Sequence, residues 1–285
     1  MSNKIFKNHK TIALIFDSDG TLHEKYMFKN LFKKNNFSEQ EFFDKIDKYR
    51  EKLKENDILV EDTLVYFQKL IDFFKEKGKP LTNEALFNSG KELIEQSFPG
   101  MPEALFRYKE FVKDKYPNLN IIIENYIISS GSRKILQGSC FNKNIDQIYA
   151  CDTYMENGKI KLSYPMSDTM KTQALFWINK GFNNGKINHN TYLTYQQRKI
   201  PFDLMIGFED GETGIPMLKL IKNKGGTSVG VYEKDDSKTY EFMKRLKEQN
   251  KIHAYFEADY NENSSLDQFI KKEIENKVEL IKSKL

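Results

Sequence analysis

The 285-residue chain has little of what several common sites are built from. Its two cysteines, Cys140 and Cys151, are too few for a disulfide framework, and CFNKNIDQIYAC lacks zinc-ligand spacing. Both are expected to be buried small apolar side chains in a reducing compartment. The four histidines, His9, His23, His189 and His253, are scattered and form no ligand set. No apolar run approaches the roughly 18 residues of a membrane span. The polar opening MSNKIFKNHK has no apolar signal segment, so the expectation is a cytoplasmic protein. A net charge of +4, with lysines and acids interspersed, argues against a nucleic-acid groove. Apolar residues at 39% and charged residues at 30% imply a compact core under solvated helix surfaces, in one or two domains.

What the chain does have is IFDSDGT at Ile15–Thr21. Thr11–Ile15 reads as a buried strand that runs into two aspartates one residue apart and a Gly-Thr turn. In a doubly wound α/β sheet, ligands sit beyond the carboxyl ends of strands, where Asp17 and Asp19 project together. Two carboxylates that close repel unless a cation or a shared proton compensates. Taken alone, the segment also fits a strand ending in a polar turn with an N-cap aspartate.

Three later segments have related character. In YIISSGSRK, an apolar run stops at Ser129, whose hydroxyl joins the N–H groups of Ser130 and Gly131 at an expected helix start to form an anion nest. A Ser helix cap is the other reading. In SDTMKTQALFWINKG, Ser167 or Asp168 can cap a helix with Lys171 in its first turn; Lys159 and Lys161 are poorer candidates, because Asn157-Gly158 reads as a hairpin turn. FDLMIGFEDGETGIPMLKL is a strand, the acids Glu209-Asp210, a glycine turn and an amphipathic helix. A surface acidic loop is the alternative there.

The four segments, in this order, resemble motifs I to IV of the haloacid-dehalogenase-like superfamily of phosphotransferases, over Ile12–Tyr232. Motif I is DxDGT. Motif IV departs from the common GDxxxD, since Gly214 stands at the second aspartate. It is similar instead to the FEDSxxGI segment of β-phosphoglucomutase-like members, with Glu209 and Asp210 as the acidic pair. The resemblance implies an α/β fold, a doubly wound Rossmann-like parallel sheet core with an inserted all-helical cap. It implies Asp17 as nucleophile and Asp19 as acid and base, with Ser129, Ser130, Gly131 and Lys171 on the phosphate. Mg²⁺ is expected on Asp17, Asp210 and the backbone carbonyl of Asp19, with Glu209 in or behind that set. Dehalogenases of the superfamily lack the second aspartate and P-type ATPases carry Lys-Thr there, so Asp19 points to phosphomonoester hydrolysis or a mutase.

The helical block fits such a cap. Ser38 and Glu41 form a capping box, followed by Phe42, Phe43, Ile46, Tyr49 and Leu53 at helical spacing. A second helix carries Leu64, Phe67, Leu70, Ile71 and Phe74 to a stop at Gly78, and a third starts at Thr82. SFPGMPEAL resembles the return to the core. The expected division is a core of residues 1–23 and 98–285 around a cap of 24–97, hinged near Glu24–Tyr26 and Phe98–Gly100. Strands are expected at 121–128, 147–150, 203–208 and 227–231, an edge strand at His253–Ala258 and a last helix at Leu266–Ile281. Asn183–Lys199 reads as an insertion or loop, and His23 as a turn residue.

The resulting expectation is a Mg²⁺-dependent phosphomonoester hydrolase acting on a small phosphorylated metabolite, without nucleic-acid or membrane partners. A phosphosugar mutase and a catalytically inactive binding module are the alternatives.

Overall fold

The computed structural model describes residues 9–24, 26–181 and 190–284. In chain order the elements are β1 (Thr11–Phe16), α1 (Lys29–Lys34), α2 (Glu39–Glu55), α3 (Asp62–Glu76), α4 (Asn83–Gly90), α5 (Glu103–Lys115), β2 (Ile122–Ser132), α6 (Arg133–Gly138), β3 (Gln147–Glu156), β4 (Lys159–Tyr164), α7 (Asp168–Lys180), β5 (Met205–Glu209), α8 (Ile215–Asn223), β6 (Thr227–Tyr232), α9 (Ser237–Glu248), β7 (Ala254–Glu257) and α10 (Ser265–Ser283). The seven strands form one sheet in the order β4-β3-β2-β1-β5-β6-β7. All neighbours are parallel except β3 and β4, an antiparallel hairpin. This is the expected doubly wound α/β fold, and its central strands β1, β5 and β6 are buried on both faces because helices cover the sheet.

β1 lies at the centre, with Ile12–Phe16 fully buried. Phe16 pairs in register with Phe208 of β5, and their rings stack at 4.6 Å. That contact sets the two strand ends side by side, one residue before Asp17 and Glu209. The chain leaves β1 toward β2 on one side and returns as β5 on the other, so the crevice between β1 and β5 is the switch point where α/β sheets bind ligands.

The helices between β1 and β2 form from local signals. Ser38 accepts a hydrogen bond from the Glu41 N–H at 3.2 Å, and Thr82 caps α4 through the Ala85 N–H at 3.0 Å. Phe32, Phe42, Phe73 and Phe74 meet at ring distances of 5.2–6.1 Å, giving α1–α3 an aromatic core of their own. α4 packs elsewhere. A Cβ on Gly90 would come within 2.0 Å of the Ile135 carbonyl oxygen, and one on Gly138 within 1.9 Å of that of Phe87, so α4 and α6 touch backbone to backbone. The outgoing and returning chains run side by side: Glu24 N–H bonds the Gln96 carbonyl at 2.9 Å, and Phe98 N–H that of Leu22 at 3.1 Å.

Several local expectations need correction. β2 does not end at Ser129 but continues to Ser132, and α6 begins only at Arg133, so Ser130 and Gly131 are not at a helix start. The register shifts between Ser129 and Ser132, because Cys151 of β3 pairs with Ser132 and leaves Ser130 and Gly131 out of the ladder. Cys151 is buried, whereas Cys140 is only half-buried. Within Asn183–Lys199, residues 183–189 lie outside the described residues, as does His189; Thr194 caps a short 3₁₀ turn at Tyr195–Gln197. Asn157 and Gly158 both have positive φ, as the hairpin turn requires. Among the described residues no helix is long and apolar enough to cross a membrane.

Candidate active site

Beyond the ends of β1, β2 and β5 lies a cleft of about 420 Å³. Its sheet side presents Asp17, Asp19, Ser129, Lys171, Glu209 and Asp210, and its helical side Tyr26, Phe28, Arg50, Asp62, Thr63 and Tyr66.

Lys171 is the centre of the sheet side. Capping by Ser167, which accepts from the Met170 N–H at 3.3 Å, starts α7 so that Lys171 points to the strand ends. Its Nζ lies 2.9 Å from Asp17 Oδ1, 3.1 Å from Glu209 Oε2 and 3.3 Å from Thr213 Oγ1. Burial disfavours its charge, but the Asp17 and Glu209 carboxylates outweigh that and hold its pKa above the ordinary lysine value. Glu209 is pushed well above the carboxylate range, first by burial, then by Asp17, with Lys171 opposing and Asp210 adding. Asp17, Glu209 and Asp210 offer oxygens that all lie within 4.8 Å of one another.

Glycines shape this cluster. Gly20 has φ +73°, and a Cβ there would stand 2.1 Å from Asp210 Oδ2. Gly214, where the common motif IV has its second aspartate, lies under Glu209; a Cβ would stand 1.8 Å from Glu209 Oε2. Glu209 occupies the space that a side chain at position 214 would need.

Asp19 is held apart from the cluster. Its Oδ2 accepts from the Met27 N–H at 3.2 Å, and its Oδ1 lies 3.4 Å from His23 Nε2. Burial and the neighbouring Asp17 charge raise its pKa to about 7. His23 is fully buried and its pKa falls to about 4, chiefly by desolvation, so the ring is neutral. Its Nδ1–H donates to the Glu24 carbonyl at 2.7 Å, which leaves Nε2 to accept from the Ser18 hydroxyl at 2.9 Å. This fixes the tautomer and pins the point where the chain leaves the core.

Ser129 Oγ accepts from the Gly131 N–H at 3.0 Å, which leaves its own proton to donate toward the cleft. The Gly131 N–H is therefore engaged inside the loop, and Ser130 donates to the Met166 carbonyl at 2.9 Å. Gly131 also lets Met27 close in, since a Cβ would lie 2.1 Å from Met27 Cε.

No known protein-family model matches the chain. An uncharacterized protein of Borreliella burgdorferi is 28% identical, over 92% of this chain and 96% of its own length. Among solved structures, a HAD family hydrolase from Salmonella enterica serovar Typhi superposes with a TM-score of 0.54 at 16% identity, covering 87% of this chain and 68% of that one. A phosphoserine phosphatase in apo form superposes with a TM-score of 0.52 at 15% identity, covering 92% and 98%. The chain has the haloacid-dehalogenase-like fold. Within that fold, the structure gathers Asp17, Lys171, Glu209 and Asp210 into one buried group, with Asp19 and Ser129 at its rim and Ser130 and Gly131 lining the cleft.

Sequence reasoning missed four side chains of this cleft. Thr213 sits in the motif IV turn and carried a signal, a hydroxyl three residues after an acidic pair. Tyr26 lay in the expected hinge, and Tyr66 and Arg50 come from helices whose aromatic and charged residues read as ordinary core and surface.

Proposed function

We propose that the chain is a Mg²⁺-dependent phosphomonoester hydrolase acting on a small phosphorylated metabolite through an aspartyl phosphate on Asp17. The observation that carries this reading is the pair Asp17 and Asp19, two residues apart and in different environments: Asp17 is ion-paired to Lys171, while Asp19 has its pKa raised to about 7. Nucleophile and proton donor are thereby separated on one strand end.

The chemistry then follows from the side chains. Lys171 and the Ser129 hydroxyl orient and neutralise the phosphoryl group. Asp17 attacks phosphorus as the ester P–O bond breaks, and the proton of Asp19 goes to the leaving alcohol oxygen. Asp19, now a carboxylate, takes a proton from the water that attacks the aspartyl phosphate, which regenerates Asp17 and protonated Asp19 and frees phosphate.

The donor set suits Mg²⁺. Asp17, Glu209 and Asp210 offer hard oxygens close together, and Lys171 supplies one positive charge against three carboxylates. A bound Mg²⁺ would be held by Asp17, Asp210 and the Asp19 carbonyl, with Glu209 beside Lys171, and would offset the charge developing on phosphate.

The helices α1–α3, with their own aromatic core, would act as the cap that excludes water. A mutase needs a second phosphate site there, yet Arg50 is the cation on that side among the described lining residues, and it already pairs with Asp62 at 2.9 Å and Asp47 at 3.1 Å. That favours hydrolysis, with no polymer, nucleic-acid or membrane partner required. Release of phosphate from p-nitrophenyl phosphate tests the reading. Activity should vanish on chelation, return with Mg²⁺ and be lost in Asp17→Asn; metal-independent turnover or an active Asp17→Asn would overturn it.

A further inference from the structure

Where α2 turns into α3, the chain displays aliphatic side chains that the helix packing does not cover. α2 ends in a tight turn: Asp57 holds φ at +55°, its N–H bonds the Lys54 carbonyl at 3.0 Å, and the Ile58 N–H bonds that of Leu53 at 2.9 Å. This closure satisfies the last carbonyls of α2 and fixes the path of Ile58-Leu59-Val60. Leu59 is fully exposed and Ile58 half-exposed. Single exposed apolar residues are ordinary, but these two border a second cavity, of about 240 Å³. Five of its eight lining residues are aliphatic, Leu53, Ile58, Leu59, Val60 and Val65; the others are Arg50, Lys54 and Asp62. The interior of α1–α3 is aromatic, so this groove is of a different character.

The groove adjoins the catalytic cleft, because Arg50 and Asp62 line both. These two pair at 2.9 Å, and Arg50 also donates to Asp47 at 3.1 Å, so its charge is already met by two carboxylates. An uncharged chain can pass such a pair along the methylene stem of the arginine. On the cleft side the rings of Tyr26, Phe28 and Tyr66 form the wall, and Tyr66 stands one helical turn from Asp62 on α3. A phosphate site, an aromatic wall and an aliphatic groove in succession outline an amphiphile.

We propose that the groove between α2 and α3 holds an aliphatic tail on the alcohol of the substrate, making the substrate class phosphomonoesters of aliphatic-chain alcohols. This rests on the phosphatase reading above and adds what the alcohol must carry. The phosphate sits at Asp17, the chain runs past the aromatic wall, and its end covers Ile58 and Leu59. Binding then removes from water both the methylenes of the tail and the apolar surface that the free protein exposes.

Ethyl, butyl, hexyl and octyl phosphate, assayed with Mg²⁺ below their micelle-forming concentrations, test it. Each methylene that reaches the groove should raise kcat/KM about three- to fourfold, so octyl phosphate should exceed ethyl phosphate at least about thirtyfold. The gain should fall on KM, because the tail lies away from the reacting bond and binds alike in the ground and transition states. Ile58→Gln and Leu59→Gln alter exposed side chains, so both variants should fold. Each should shrink the octyl-to-ethyl ratio at least about threefold, and the double variant at least about tenfold. Merely structural damage would slow all four esters together and leave the ratio unchanged. Equal kcat/KM across the series, or a ratio preserved in the double variant, would overturn the inference. So would sedimentation in which the wild type self-associates and Leu59→Gln does not, since a second copy would then cover this face. Failure on p-nitrophenyl phosphate would instead remove the phosphatase reading, and this inference with it.

Discussion

Lys171→Met is the sharpest structural test, because Lys171 is fully buried and nearly isosteric with methionine. In the wild type its ammonium lies 2.9 Å from Asp17 and 3.1 Å from Glu209, with Asp210 in the same cluster. At an effective dielectric constant of about 20, each contact is worth roughly 5 kcal/mol of attraction, most of it offset by desolvation. Removing one partner of a buried pair leaves the other charges uncompensated, which typically costs about 3–5 kcal/mol. At about 2–4 °C per kcal/mol, the melting temperature should fall by roughly 6–20 °C at pH 8. The pH dependence identifies the cause. Glu209 has a raised folded pKa, so the native state binds a proton that the unfolded chain has released, and stability falls as pH rises. Loss of Lys171 strengthens that tendency, so the deficit should shrink toward pH 5. Millimolar Mg²⁺ should also restore part of it by replacing the missing charge. Thermal unfolding followed by circular dichroism across pH 5–8, with and without Mg²⁺, reads both effects. A Lys171→Met protein as stable as wild type at pH 8, or a deficit independent of pH and Mg²⁺, would refute the charge-compensation argument.

Two further variants probe other parts of the site. His23 has a folded pKa near 4 against an unfolded value near 6.5, so the unfolded chain binds the extra proton and the histidine costs stability as pH falls through that window. His23→Gln should therefore lose less stability than wild type between pH 6.5 and 4 in urea titrations; equal acid sensitivity would rule out a neutral buried ring. Gly214→Ala places a methyl 1.8 Å from Glu209 Oε2, so Glu209 must move; Mg²⁺ affinity by calorimetry should drop at least about tenfold, and unchanged affinity would show that Glu209 does not support the metal cluster.

The parts of the fold that follow from local rules were legible in the sequence. Thr11–Phe16 is continuous and apolar because β1 is covered on both faces, and Ser38, Thr82 and Ser167 cap helices where their side-chain oxygens predict. The four site segments were visible because each combines an apolar strand or a capped helix with a polar terminus. Features set by distant contacts were not. β2 passes Ser129 because Cys151 on another strand pairs with Ser132, and nothing local to YIISSGSRK records that. Gly90 and Gly138 allow the close approach of α4 to α6, which no local pattern records. His23 read as a turn residue, but its burial depends on the returning segment around Ser97, some seventy residues away. Tyr26 and Tyr66 give no sign in the sequence that sets them apart from the phenylalanines around them; only placement shows that they line the cleft.

The central claim is that Asp17 becomes phosphorylated. Acid-quenching the enzyme during turnover and reducing the mixture with borohydride converts an aspartyl phosphate to homoserine, which peptide mass spectrometry can locate. The account predicts homoserine at position 17, more of it in Asp19→Asn because hydrolysis of the intermediate then lacks its base, and none in Asp17→Asn. A turning-over enzyme with no homoserine at position 17, or with the modification on another residue, would contradict it.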